Sequence, residues 1–189
     1  MFSFTTNAML AIFLIVLIDK YLHHFCQGYT IPRYFQTDYN VIHHYIKVLY
    51  FHPKYISQIR VDNVKPNRTF RAFSAYHCQL VDVEGDAWKL NIHGYLGSHD
   101  IRDTPLQFDV ESCKMIANNI FGLQDVFKHS NYTKCPLKKG CYAMNNFVLS
   151  EVNFPPFVPE NVYLFKFKLY DSQVLVLDIE WHGEVRKKI

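Results

Sequence analysis

The chain has 189 residues, 49% of them hydrophobic, with 16 Phe, 13 Tyr and a formal net charge of +3. This length fits one ordinary domain, and a chain this apolar can bury a sizeable core, which excludes intrinsic disorder. The low net charge argues against a nucleic-acid-binding surface, since the longest basic run is the C-terminal Arg186-Lys187-Lys188.

The N-terminal segment predicts secretion. Residues 8–18 form an uncharged apolar run. It is shorter than the roughly 20 residues of a spanning helix and typical of a secretory signal peptide. The residues before the run carry no Lys or Arg, which is unusual for such a signal. We expect a signal peptide over residues 1–28, cleaved after Gly28. The alternatives are a retained anchor and a buried helix, and the helix is disfavoured because no polar face interrupts the run.

Cysteine count and glycosylation sequons agree with export. Removal of the signal deletes Cys26 and leaves four cysteines: Cys78, Cys113, Cys135 and Cys141. An even set in an exported chain predicts two disulfides, and four cysteines allow three connectivities. Sequons for N-glycosylation begin at Asn67 and Asn131.

Secondary structure becomes predictable after an unclear first segment. Residues 29–59 are an N-terminal extension or a first strand, because their periodicity is ambiguous. Residues 70–83 and 88–96 are rich in strand-forming residues and flank a turn-like Glu84-Gly85-Asp86, which predicts a β-hairpin. Spacings of three and four then predict an amphipathic helix over residues 113–127. Its apolar face comprises Cys113, Ile116, Ile120, Leu123 and Phe127.

The C-terminal third returns to strands. Residues 141–152 predict one strand, and the Pro-rich residues 153–161 predict a connection. Two alternating strands follow, joined by a turn at Asp171-Ser172. The apolar face of the first strand comprises Tyr163, Phe165, Phe167 and Leu169. The apolar face of the second strand comprises Leu175, Leu177, Ile179 and Trp181, and its other face carries Val176, Asp178, Glu180 and His182. Strands with one apolar face predict a mostly β fold of two antiparallel sheets packed face to face.

No motif predicts catalysis or a cofactor. The sequence contains no nucleophile elbow, phosphate loop or dinucleotide fingerprint. Its ten histidines are scattered without the paired spacing of a zinc site, so we expect no metal. Disulfides explain the cysteines better than nucleophiles do. Asp178 and Glu180 lie on the strand face expected in water. We therefore expect that the protein is not an enzyme and needs no cofactor.

The C-terminal segment has a recognisable pattern. It contains Cys135-Pro136, Gly140-Cys141-Tyr142, a Pro-containing loop, and a Pro159-to-Tyr163 segment that opens an alternating strand. This pattern resembles the ML lipid-recognition family, particularly its ganglioside-activator branch. Residues 108–114 also resemble an insect branch that includes chemosensory proteins of taste organs, and residues 67–71 look like the start of the same domain. Asn161 stands where the pattern has Gly, and Asn tolerates the positive φ of such a turn.

The resemblance covers residues 60–185 and implies a fold and a function. It implies an immunoglobulin-like antiparallel β-sandwich over residues 60–189, with one short helix and sheets that splay to hold an apolar ligand. This chain has fewer cysteines than the ganglioside activators, so their disulfide map does not transfer whole. We expect Cys113 to pair with Cys135, tethering the helix to the following strand. Cys78 is then left to pair with Cys141.

The expected ligand-binding residues lie on the Pro-rich connection and the last two strands. They line an apolar pocket or its rim: Phe154, Phe157, Val158, Tyr163, Phe165, Phe167 and Trp181. We expect a secreted, non-catalytic carrier of a lipid or other apolar small molecule, acting in contact chemosensation. Its further partners would be a receptor and a membrane surface, with no nucleic acid. Two alternatives stay open: a lipid-extracting activator of a glycolipid enzyme, and a secreted protein-interaction module with a filled core.

Overall fold

Strands dominate the protein, which confirms the predicted mostly β fold. The computed structural model describes residues 35–65, 71–83, 87–97 and 101–188. The predicted signal peptide, the Asn67 sequon and the turn-like residues 84–86 lie outside the described residues.

The described residues form eight strands and four short helical segments. The strands are β1 (Tyr39–Phe51), β2 (Ile56–Val64), β3 (Ala72–Gln79), β4 (Trp88–Leu96), β5 (Arg102–Glu111), β6 (Gly140–Phe147), β7 (Asn161–Asp171) and β8 (Val174–Lys187). The helices are α1 (Ser112–Ala117) and α2 (Val126–His129), with 3₁₀ turns at Ile120–Asp125 and Glu151–Asn153. β1 falls in the segment whose periodicity was ambiguous.

The strands form two antiparallel sheets that pack as a β-sandwich. One has five strands in the order β1-β8-β7-β4-β5, and the other has three in the order β2-β3-β6. Both outer strands of the larger sheet are irregular. β1 carries extra residues at His44 and Leu49, and β5 places residues 104–106 opposite Gly94.

The hydrophobic core is split into two clusters of buried side chains. One contains Tyr39, Tyr163, Trp181 and Val185; the other contains Ile56, Val83, Trp88 and Val176. Tyr163 begins the inward face of β7, whereas Leu169, near the other end of that strand, packs on the second cluster. The two clusters therefore lie towards opposite ends of the larger sheet, and the space between them is bounded by both sheets.

The predicted C-terminal hairpin is confirmed, with one change of register. β7 and β8 pair directly across a two-residue turn, since Asp171 lies opposite Val174. Leu169 pairs with Leu177 but Tyr170 pairs with Leu175, which leaves Val176 as the extra residue of a β-bulge. Val176 is 0% exposed. The prediction that Leu175 shares the apolar face is therefore wrong at this position, because the bulge turns Val176 inward instead.

The expectation that Asp178 and Glu180 lie on a fully hydrated face is also wrong. β8 is flanked on both sides, and Asp178 pairs with Tyr50 of β1 and Lys168 of β7. Side chains of these neighbouring strands cover the outer face, so both carboxylates are half-buried. Burial raises the pKa of Asp178, while Glu180 contacts Lys166 at 3.6 Å.

The predicted hairpin between residues 70–83 and 88–96 is wrong, because these strands belong to different sheets. β3 pairs with β2 and β6, and β4 pairs with β5 and β7. The chain leaving β3 instead binds the loop before β6. Val83 N donates to Leu137 O at 2.9 Å, and the buried Gln79 amide donates to Val81 O at 2.6 Å. These bonds carry the chain across to the larger sheet.

The single amphipathic helix predicted over residues 113–127 is broken into three pieces. α1 ends at Ala117, and Asn119, Phe121 and Gly122 then adopt φ values of 53°, 54° and 74°. Left-handed residues cannot continue an α-helix. The Asn119 side chain also accepts a hydrogen bond from Gln124 N at 2.9 Å, a local alternative to helical bonding.

Two disulfides cross-link the domain. Cys78 of β3 pairs with Cys141 of β6, and Cys113 of α1 pairs with Cys135 in the loop before β6. These are the pairs that were expected, and they are compatible with a secreted protein. Within the ranges described, the structure has no helix with the length and apolar character needed to cross a membrane.

Candidate functional site

A cavity of about 460 Å³ lies between the two sheets. Its size falls within the range of roughly 300–1,000 Å³ that is typical of small-molecule pockets. The inward faces of both sheets and the segment after β5 supply its walls. Polar atoms contribute little to the wall, and the lining residues with a nitrogen or oxygen in the side chain are His77, Gln79, Trp88, Ser112, Tyr132, Tyr163 and Trp181. No Lys, Arg, Asp or Glu of the described residues lines the cavity, so its interior is uncharged.

Six of the seven predicted ligand-binding residues line this cavity. Tyr163, Phe165 and Phe167 project from alternate positions of β7, and Trp181 projects from the neighbouring β8. Phe165 contacts the Trp181 ring with centroids 5.8 Å apart, so these four residues form one continuous aromatic wall. Phe154 and Val158 reach the same space from the Pro-rich connection.

Phe157, the seventh predicted residue, does not line the cavity. Its side chain is 86% exposed and its φ is +61°. Its backbone N–H donates to Asp38 Oδ2 at 3.0 Å, which fixes the loop with this ring turned outward. The structure therefore separates the predicted set into an inner group and one outward-facing aromatic residue.

Buried hydrogen bonds hold the Pro-rich connection against the start of β1. The Tyr39 hydroxyl donates to Pro155 O at 2.6 Å. The buried Gln36 amide donates to Glu151 O at 2.8 Å and accepts from Asp38 N at 3.0 Å. Gln36 N also donates to the backbone of the 3₁₀ turn. Because these bonds fix the loop backbone, Phe154 and Val158 are positioned as part of the cavity wall.

A buried histidine orients Trp181. Trp181 Nε1–H donates to His43 Nδ1 at 3.0 Å, across the β1–β8 pair. His43 also packs against the Phe73 ring of the opposite sheet in a tilted arrangement, with ring centroids 5.3 Å apart. Burial lowers the pKa of His43 to about 4. The imidazole is therefore neutral at ordinary pH, which leaves Nδ1 free to accept the indole hydrogen bond.

The sequence reasoning missed the contribution of the smaller sheet. β2 lines the cavity with Ile59 and Val61, and β3 lines it with Phe73, Ala75 and His77. Each set is spaced by two residues, so the alternation was available as a signal. It was hidden because polar residues such as His77 occur on the inward face, and exposed aromatics such as Tyr76 occur on the outward face.

Two residues missed by the sequence reasoning place polar groups in the cavity wall. His77 has its ring 5.4 Å from that of Tyr142, and burial lowers its pKa. Tyr132 is 7% exposed, and its hydroxyl is buried without a hydrogen-bond partner among the described residues. Burial raises the pKa of Tyr132 to about 12.

The other predicted sites are less defined by the structure. Asn131, of the second sequon, is exposed, and its amide accepts from Ala143 N at 2.8 Å and donates to Cys141 O at 3.1 Å. Glycosylation there stays a prediction. In the part of the chain that the structure describes, no group of three or more His, Cys, Asp or Glu side chains is arranged to hold a metal.

Fold and cavity together define a disulfide-bonded β-sandwich with an apolar interior space. Residues 90–165 match a family described as a protein of unknown function, DUF1091. The matched segment runs from β4 into β7, and it includes three of the four bonded cysteines and the Pro-rich connection. No curated protein matches the chain.

Proposed function

We propose that this protein is a secreted, non-catalytic carrier of a lipid or other apolar small molecule, which it binds between its two sheets. The cavity of about 460 Å³, with its almost wholly apolar wall, carries this proposal. Transfer of apolar surface from water into such a space contributes about 0.8 kcal/mol per buried methylene. A flexible hydrocarbon chain therefore gains affinity from its length, with no need for a charged anchor.

Two further observations support this proposal over a module with a filled core. The inward residues of β7 and β8 pack against one another within their own sheet, while the space between the sheets remains wide enough for a ligand. The C-terminal sequence pattern resembles the ML lipid-recognition family, whose fold holds apolar ligands. The setting that we propose, contact chemosensation with a receptor as partner, rests on the resemblance to the insect branch.

Ligand uptake by the secreted full-length chain tests the proposal. Native mass spectrometry followed by organic extraction would identify a co-purifying lipid, and displacement of N-phenylnaphthylamine by long-chain compounds would measure affinity. The expected result is a near-stoichiometric apolar ligand or saturable displacement. A clean unliganded mass with no displacement by any long-chain compound would contradict the proposal.

A pair of matched substitutions assigns binding to the cavity. Ala75 lines the cavity from the middle of β3, so Ala75→Phe adds a ring to the ligand space. Ala143, which pairs with the outward-facing Tyr76 on the same sheet, provides the control Ala143→Phe. We expect Ala75→Phe to weaken uptake at least about tenfold, equivalent to roughly 1.4 kcal/mol, and Ala143→Phe to leave it unchanged. Equal affinities in the two variants would place the ligand elsewhere.

The outward-facing Phe157 favours a second candidate function, extraction of a lipid from a membrane for an enzyme. Phe157 is 86% exposed on the same Pro-rich connection whose Phe154 and Val158 line the cavity, and Phe35, next to the Gln36 clamp, is 75% exposed. Exposed aromatics beside a cavity are suited to contact with a lipid surface. Sedimentation with phosphatidylcholine vesicles should fall in Phe157→Ser if this candidate is correct. If neither wild type nor variant sediments, extraction from membranes is excluded.

A further inference from the structure

Two of the residues that line the cavity carry polar side chains and lie near each other. His77 is on β3, and Tyr132 lies in the loop between α2 and β6. Both rings pack on Tyr142, His77 at 5.4 Å and Tyr132 at 5.7 Å between centroids. The two polar groups therefore flank a common aromatic neighbour at one region of the wall.

Three other polar side chains at or near the cavity are already engaged within the protein. The Tyr142 hydroxyl donates to Lys138 O at 2.7 Å, and the Tyr163 hydroxyl donates to Pro159 O at 2.8 Å. The Gln79 amide donates to Val81 O at 2.6 Å. The Tyr132 hydroxyl differs, because it is buried without a hydrogen-bond partner among the described residues. The His77 ring packs on Tyr142 beside it.

The backbone around Tyr132 is held firmly against β6. Tyr132 N donates to Ser130 Oγ at 3.2 Å, and Ser130 forms a bridge with Met144. The preceding Asn131 side chain bonds to the backbone of β6 through both its oxygen and its nitrogen. The phenol is thus placed by the fold, and its unpaired hydroxyl is not the result of a loosely held loop.

A buried hydroxyl without a partner is costly, and native proteins seldom retain one unless a ligand or water satisfies it. The groups available here are uncharged. Burial keeps the Tyr132 phenol protonated by raising its pKa to about 12, and it keeps the His77 imidazole neutral by lowering its pKa. A neutral phenol donates one hydrogen bond, and a neutral imidazole offers one donor and one acceptor.

We propose that the ligand is a long apolar molecule carrying one uncharged oxygen function, such as an alcohol, carbonyl or ester, which hydrogen-bonds to Tyr132 and His77. This inference rests on the proposed carrier function and narrows its ligand class. A carboxylate fits poorly, because the described cavity wall has no Lys or Arg to pair with a buried negative charge. A pure hydrocarbon fits less well than an alcohol, because it leaves the Tyr132 hydroxyl unpaired.

The test compares three probes of equal chain length, hexadecane, hexadecanol and palmitate, by displacement of N-phenylnaphthylamine from the full secreted chain. We expect hexadecanol to bind about tenfold more tightly than either of the others, as one neutral hydrogen bond allows. Tyr132→Phe removes only the hydroxyl and should bring the hexadecanol-to-hexadecane ratio close to one. Tyr76→Phe, on the outward face of β3, is the matched control and should keep the wild-type ratio.

The outcomes separate this inference from the proposed function. If no probe displaces the dye, the carrier function itself fails. If hexadecane or palmitate binds as tightly as hexadecanol, the carrier function stands and the neutral polar anchor is refuted. A hexadecanol preference that persists in Tyr132→Phe would also refute the assignment. Loss of fold does not obscure the result, because Tyr132→Phe breaks no hydrogen bond between described residues and thermal unfolding checks its stability directly.

Discussion

Acidification should destabilise this protein through His43, which accepts the Trp181 indole hydrogen bond at 3.0 Å. Protonation would convert His43 Nδ1 into a donor facing another donor, and the charge would be buried. Burial is the main cause that lowers the His43 pKa to about 4. The positive charges of Arg71 and His44 act in the same direction, and the Asn63 side chain opposes them. The Asn63 amide also bonds to both backbone groups of Ile46.

The sign and size of the effect follow from the two protonation equilibria. In the unfolded chain His43 should titrate near its ordinary pKa of 6.5, whereas in the folded protein it titrates near 4. Between these values the unfolded state binds more protons, so the free energy of unfolding falls as the pH falls. Stability is fully present above pH 6.5, and the loss on reaching pH 4 is roughly 3 kcal/mol.

Urea unfolding followed by tryptophan fluorescence, from neutral pH down to pH 4, measures this loss. His43→Asn keeps an acceptor for the indole but cannot titrate, so it should flatten the pH dependence even if its stability is lower throughout. His129, which is exposed, provides the matched control His129→Asn. Some dependence of the free energy of unfolding on pH should remain because of His77, whose pKa is also lowered by burial. An unchanged slope in His43→Asn would refute the reasoning.

Three further predictions concern stability. Gly183→Ala should lower the free energy of unfolding in urea by about 1–3 kcal/mol, because the added Cβ would overlap the Trp181 ring. A variant as stable as the wild type would mean that the ring moves freely. Replacing Cys78 and Cys141 together by Ala should cost about 4 kcal/mol by the chain-entropy relation for a separation of 63 residues, measured as a lower denaturation midpoint. Gln36→Ala should cost about 1–3 kcal/mol for each buried backbone group left unpaired. It should also speed proteolysis within residues 151–157, and unchanged cleavage would count against the clamp.

The parts of the fold that local sequence controls were predictable. β7 and β8 alternate with a period of two around a short turn, so their pairing and the shared face of Tyr163, Phe165 and Phe167 follow from adjacent residues. The bulge at Val176 was not predictable, because alternation alone does not reveal one inserted residue. The disulfide pairs were chosen correctly among three connectivities, but the residues alone left all three open.

The misses have a common physical cause, which is that distant contacts decide the outcome. β3 and β4 looked like a hairpin because they are neighbours in sequence, yet β6 competes for the edge of β3 and the chain crosses to the other sheet. The helix broke where Asn119 found a local hydrogen bond. A cavity wall and a filled core share the same apolar pattern, so the space between the sheets was visible only in three dimensions.

The irregular outer strands of the larger sheet have a consequence for aggregation. An exposed strand edge is a template on which another copy can add, leading to fibrils. The regular pairing of β1 with β8 is interrupted by extra residues at His44 and Leu49. The pairing of β5 with β4 is interrupted opposite Gly94, and Pro105 in that segment lacks an amide hydrogen. Bulges and proline are features that disfavour strand addition. The two outer strands of the larger sheet, β1 and β5, are therefore poorly suited to pairing with a strand of another copy.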